Sequence, residues 1–170
     1  PLPTGVLVAA LAKAGVDTQQ ASVLAELSGG QPGRALMLHR NREALREPLQ
    51  RFVEFMRLVY KKDLVALLQF TESLAKEPRE QQKQWIHVSS HLMSQLLRMR
   101  YGALHASLFS WFPDVPFQPE GLARLLHEGQ HEELQALFLS ALTDLQRNIN
   151  SRMVLSDLGI SVMKLFAARK

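Results

Sequence analysis

A chain of 170 residues is long enough for one ordinary domain or two small ones, and 46% hydrophobic residues suffice to bury a core. The lack of cysteine excludes disulfide frameworks, Cys-ligated zinc and thiol catalysis, and it fits a cytoplasmic setting. Lys+Arg outnumber Asp+Glu 20 to 16, a net +4 that permits contact with nucleic acid but that solvated helix faces already account for.

Apolar residues recur at helical spacing and strand patterns are nearly absent, so the predicted class is all-α. The chain opens Pro1-Leu2-Pro3 with no charged n-region or apolar signal core, and that start reads as an excised piece of a longer protein. A first helix is predicted over roughly Thr4–Ala14, with Val6, Leu7, Ala10 and Leu11 on one side and Gly15 as its stop. Asp17 or Thr18 caps a second, Gln19–Leu27. Ser28-Gly29-Gly30 ends that helix, and Pro32 opens a third over about Pro32–His39. Three helices this short hold little core and would lean on a neighbour.

The polar stretch Asn41–Pro48 is the candidate domain boundary. Leu49, Phe52, Val53, Met56, Val59 and Tyr60 then give the stripe of a longer helix, and Asp63 caps another with Leu64, Leu67, Leu68, Thr71 and Leu74 inward. Glu77-Pro78 turns the chain into the longest helix, about Arg79–Tyr101, on Trp85, Val88, Leu92, Leu96 and Met99. The irregular run Gly102–Phe117 is expected to fold over its own core, although Phe109, Trp111, Phe112 and Phe117 would also serve as partner anchors. Further helices follow over about Pro119–His127 and His131–Arg147, with a break at Asn148–Asn150 before the last one. The apolar run Leu134–Leu145 is interrupted by Gln135, Ser140 and Thr143, so no span of a bilayer is expected.

Chemistry-bearing motifs are few. His127-Glu128-Gly129-Gln130-His131 is a literal H-E-x-x-H, the spacing that holds zinc from one helix face with Glu as base. Gly129 falls where the preceding apolar pattern ends, and no third ligand stands six residues past His131, so a polar turn is the expected reading and no metal is assigned. His87 and His91 share i, i+4 spacing without a further ligand in sequence. No nucleophile elbow and no phosphate-cradling Walker loop occurs, so no catalytic residue and no cofactor is expected. The Gly turn followed by Pro32 would also suit a helix-turn-helix with 32–40 as recognition helix, the alternative being a DNA-binding regulator with an all-α C-terminal domain.

The string Leu27-Ser28-Gly29-Gly30-Gln31-Pro32-Gly33-Arg34-Ala35-Leu36 resembles the lid motif of bacterial DNA polymerase III clamp-loader subunits of the delta-prime type, a branch of the AAA+ family. Phe52–Lys61 is similar to the opening collar helix of that type, above all in its Bacteroidetes-like sequences, and Asn148–Leu158 is similar to the start of the final collar helix. Residues 79–130 match only in helical pattern. The resemblance implies a three-helix lid at 1–42 and a helical-bundle collar at 43–170, with an ATPase-like module, and any zinc ribbon, upstream. It places the sensor-2 arginine of nucleotide-binding members at Gly33, with Arg34 about 100° around the helix; the delta-prime type similarly lacks that arginine. It also implies a non-catalytic role in subunit assembly, with gamma/tau and delta subunits as partners and DNA reached only through the assembled complex. Arg147, Asn148, Asn150 and Arg152, near the junction of the last two helices, are the candidate partner-binding residues.

Overall fold

A computed structural model describes residues 1–102, 107–127 and 129–168. Among these residues there are nine α-helices, two short 3-10 turns and no strand. No described helix is long and apolar enough to cross a membrane.

The first three helices are α1 (Thr4–Lys13), α2 (Thr18–Leu27) and α3 (Pro32–Arg40). The Asp17 carboxylate accepts from the Gln19 and Gln20 amides and starts α2, which satisfies two of the amide donors that a helix N-terminus leaves unpaired. The turn between α2 and α3 places both Gly29 and Gly30 at positive φ. The Leu2 amide donates to the Gly30 carbonyl, and a Cβ on Gly30 would collide with the Leu2 carbonyl. The start of the chain is thereby pinned over the turn that leads into α3.

A 3-10 turn, Arg42–Leu45, runs directly into α4 (Arg46–Lys61). Leu45, Pro48 and Leu49 are all buried, so this stretch contributes to the core. Lys62 ends α4 in the left-handed conformation and Asp63 caps α5 (Leu64–Ala75) through the Ala66 amide. Next come α6 (Arg79–Arg100), a second 3-10 turn (Leu108–Trp111), α7 (Pro119–Leu125), α8 (Gln130–Gln146) and α9 (Ser151–Ala167).

Helix α6 is the spine, in contact with α2, α4, α5, α7 and α8. Its first turn closes the ends of two other helices. Gln82 donates to the Ala75 and Glu77 carbonyls beyond α5, at 3.1 and 2.7 Å. Arg79 donates to the Leu145 carbonyl at 2.8 Å and the Ile149 carbonyl at 3.3 Å, placing a cation where the C-terminus of α8 carries partial negative charge. One turn further on, Trp85 meets Phe55 of α4, Phe70 of α5 and Phe138 of α8 at centroid distances of 5.5, 6.0 and 6.0 Å. Tilted and edge-on rings at such distances attract beyond the area they bury. Against this, the Trp85 indole N–H is buried without an acceptor among the described residues. Helices α5 and α9 approach closely at Gly159, where a Cβ would stand 3.2 Å from the Thr71 methyl.

Two parts of the sequence reading are corrected by the packing. Tyr60 and Leu64 are 60% and 46% exposed. Phe55 takes the second buried lane of α4, and Leu64 is the first residue of α5, ahead of the part that packs. Met99 is only half-buried, whereas Gln82, Ile86, Ser89, Met93 and Gln95 are buried, because α6 is enclosed on more than one side. From residue 107 onward the aromatic run does fold over its own core, and residues 103–106 lie outside the described residues. Trp111 and Phe112 are buried, Phe109 and Phe117 stack 5.2 Å apart, and both lie 6.4 Å from Phe52. Arg42 lies 5.0 Å over the Trp111 ring and donates to its carbonyl, and Arg46 lies 4.7 Å over Phe112 while pairing with Asp114.

Phe55→Ala is expected to lose about 3–5 kcal/mol in urea denaturation, the range for emptying a buried aromatic site. Trp85→Phe is expected to lose much less than that, because it deletes an unpaired buried donor along with the lost volume.

Candidate functional site

Two regions gather polar side chains into defined geometry. The first is the cleft between α2 and α6. Arg98 grips Glu26 with two parallel hydrogen bonds of 2.6 and 2.5 Å, the fork that a guanidinium offers a carboxylate. His91 lies beside them, its Nδ1 3.7 Å from Glu26, and its Nε2 is 2.9 Å from the Gln95 amide nitrogen. The Gln95 carbonyl accepts from the Leu108 amide at 3.0 Å and from the Ser107 hydroxyl at 3.1 Å. A backbone N–H can only donate, so Gln95 must point its oxygen at Leu108 and its NH₂ at His91. His91 Nε2 is then an acceptor, and the neutral ring carries its proton on Nδ1. The network runs from α2 across α6 to the start of the aromatic loop, all within the fold.

Burial pushes the His91 imidazole down to about 4; the Glu26 carboxylate opposes that shift and the Arg98 cation adds to it. A proton on Nε2 would also face the donating Gln95 amide. Burial raises the Glu26 carboxyl, but the Arg98 hydrogen bonds and charge, with His91, more than reverse this and leave it below its ordinary value. His87, one turn back, is lowered by burial and then by the Arg34 cation. Arg34 thus lines a groove with His87 and Lys83 of α6. Gly33 itself faces open space, with no heavy atom within 4 Å of where a Cβ would stand. On the same helix Ala35 and Leu38 are buried while Leu36, Met37, His39 and Arg40 are exposed.

The second region is the turn joining α8 to α9. Asn148 adopts the left-handed conformation at φ 62, and the Asn150 side chain accepts from the Arg152 and Met153 amides at 2.9 and 3.3 Å. With Arg79 holding the Leu145 and Ile149 carbonyls, the turn has a fixed shape. Arg147 is exposed, and Arg152 reaches Glu72 at 3.4 Å near the surface. Between and beside them Ile149 and Met153 are 41% and 69% exposed. Of the four residues singled out in the sequence, the two asparagines build the turn, Arg147 is exposed beside it and Arg152 pairs with Glu72.

The H-E-x-x-H string is split by Gly129, at φ 86, which precedes the first residue of α8. His127 is exposed outside the helix. His131 is buried within its first turn, and burial lowers it against the opposing pull of the His127 backbone. Gln130 fixes the break by accepting from the His127 amide and donating to the Leu165 carbonyl. Glu128 lies outside the described residues. No three His, Asp or Glu side chains converge among the described residues. No profile of a known protein family, no curated protein and no solved structure matches the chain.

Sequence reasoning missed the cleft network, since Glu26 and Arg98 are 72 residues apart. The one local signal was Gln95, a polar residue among the apolar positions of α6.

The cleft dictates a pH response. Between pH 6.5, the ordinary value, and about 4, the unfolded chain binds a proton on His91 that the folded chain refuses. Stability therefore falls as pH drops across that window, by up to about 1.4 kcal/mol per pH unit for one such group. His87 and His131 act in the same direction, and the Glu26 contribution is lost lower still, as pH falls through its depressed folded value. Urea midpoints from pH 7 to 4.5 should decline steeply in the native chain and less steeply in His91→Gln. An unchanged slope in the variant would show that His91 is not refusing the proton.

Proposed function

We propose that this chain is the lid and collar of a delta-prime-type clamp-loader subunit, and that it acts without catalysis, by assembling with gamma/tau and delta subunits. In this reading residues 1–42 are the lid and 43–170 the collar, and DNA is met only through the assembled complex in the cytoplasm. The observation that carries the assembly role is the α8–α9 turn. There a hydrogen-bonded, conformationally fixed turn holds Ile149 and Met153 exposed, with Arg147 and Arg152 beside them. An exposed apolar pair on a rigid support, rimmed by charge, suits a protein interface.

The motif resemblance supplies the family. Three further features support the reading. The order of a three-helix unit followed by a longer bundle agrees with it. Gly33 at the sensor-2 position offers neither charge nor donors to a nucleotide phosphate. The three-helix unit is joined to α6 by the Glu26–Arg98 fork, a contact between two parts that are separate in sequence.

Mixed with gamma/tau and delta collar domains, the chain should co-elute with them on size exclusion, whether or not ATP is present. Met153→Asp together with Ile149→Asp should weaken that association at least tenfold. Charge reversal at Arg147 and Arg152 should act mainly at low salt, as rim charges do. Failure to associate with either partner, or micromolar ATP affinity by calorimetry, would overturn the assignment.

A further inference from the structure

Helix α4 carries two pairs of arginine and lysine side chains in contrasting surroundings. Toward its N-terminus, Arg46 is matched by Glu43 and Asp114, and Arg51 by Glu47 and Glu77. Toward its C-terminus, Arg57 and Lys61 make no ion pair among the described residues. These two cations stand one turn apart and border a groove between α4 and the segment leading into α7. Buried Met56 and Leu122 and half-buried Phe117 form its floor, and Tyr60 stands exposed at its edge. Gly121 lines the groove without a side chain, and nothing approaches within 4 Å of where its Cβ would be. None of the groove's lining residues is acidic.

We infer that this groove docks a segment of a partner protein in which one or two bulky apolar residues are flanked by carboxylates. Charge complementarity decides the chemistry. An apolar floor takes the anchor, and two unmatched cations at one edge call for anions beside it. The Arg57 guanidinium donates to the Pro116 carbonyl, so it is already held in place and loses little freedom when its other N–H groups meet a carboxylate. The helix dipole accounts for a cation in the last turn of α4. It does not account for an exposed tyrosine beside an open apolar floor. A cavity volume of about 320 Å³ is at the small end for ligand sites and suits one or two anchoring side chains. The inference does not depend on the clamp-loader reading.

The test uses the whole chain and two fluorescein-labelled octapeptides read by anisotropy. One is Gly-Asp-Glu-Phe-Leu-Asp-Glu-Gly, and the other has lysine in place of each acid. The acidic peptide should bind saturably with Kd on the order of 10–100 μM, and the basic one at least tenfold more weakly. Arg57→Glu and Lys61→Glu should each weaken the acidic peptide at least tenfold. Gly121→Leu should abolish binding by filling the groove, while the thermal melt stays level or rises, since the site is open and leucine favours helix over glycine. Equal binding of the two peptides, no saturation up to millimolar protein, or binding untouched by Gly121→Leu would each overturn the inference. So would a dimer in sedimentation equilibrium that Gly121→Leu dissolves, because the groove's occupant would then be a second copy of the chain.

Discussion

The meeting of Trp85 with Phe55, Phe70 and Phe138 sets the distances at which four helices lie, and the polar features of the molecule are arranged around it. Rings 5.5–6.0 Å apart in tilted contact leave little slack, since interiors pack to near-crystalline density. With α6 held there, its first turn can reach only certain groups. Arg79 arrives at the carbonyls that α8 leaves open, and Gln82 arrives at those beyond α5. The unpaired Trp85 indole N–H shows which term prevails: the ring's shape and area outweigh a lost hydrogen bond worth about 1–3 kcal/mol.

Further along α6 the same helix has to satisfy polar groups on a different side. Gln95 is the hinge of that arrangement because an amide can donate at one end and accept at the other. Its oxygen fixes the Leu108 amide and thus the first turn of the aromatic loop, while its nitrogen fixes the His91 tautomer beside the Glu26–Arg98 fork. The loop in turn is covered by Arg42 and Arg46, which belong to the passage from α3 into α4. The three-helix unit is therefore connected to the bundle by two routes, one through α6 and one through residues 42–46. Both routes meet residues 107–112.

Helix positions and ends were legible because they depend on local chemistry. Asp17 and Asp63 cap as their type and position require, Pro32 opens α3, and Gly129 breaks the H-E-x-x-H string. What was not legible depends on which elements become neighbours. A single apolar stripe predicts one buried face, but α6 is surrounded, so Ser89, Met93 and Gln95 are buried outside that stripe. Tyr60 continues the stripe of α4 by spacing and is nonetheless exposed at the edge of a groove, while its neighbour Val59 is buried. The Glu26–Arg98 fork joins two positions with no shared local pattern, and only the tertiary fold brings them together.

The α8–α9 turn shows how a motif can be read two ways at once. Asn148 suits a left-handed position better than most residues do, and Asn150 is a strong helix N-cap. The two asparagines in the string that resembles a collar helix are thus accounted for by backbone geometry alone, and by themselves they say nothing about a partner. The fixed turn does not account for Ile149 and Met153 standing exposed beside Arg147 and Arg152, because a tight turn between two helices is as stable with polar residues at those places. The weight of the assembly reading therefore rests on the apolar pair and its basic neighbours, and the asparagines matter as the scaffold that keeps that surface in one shape.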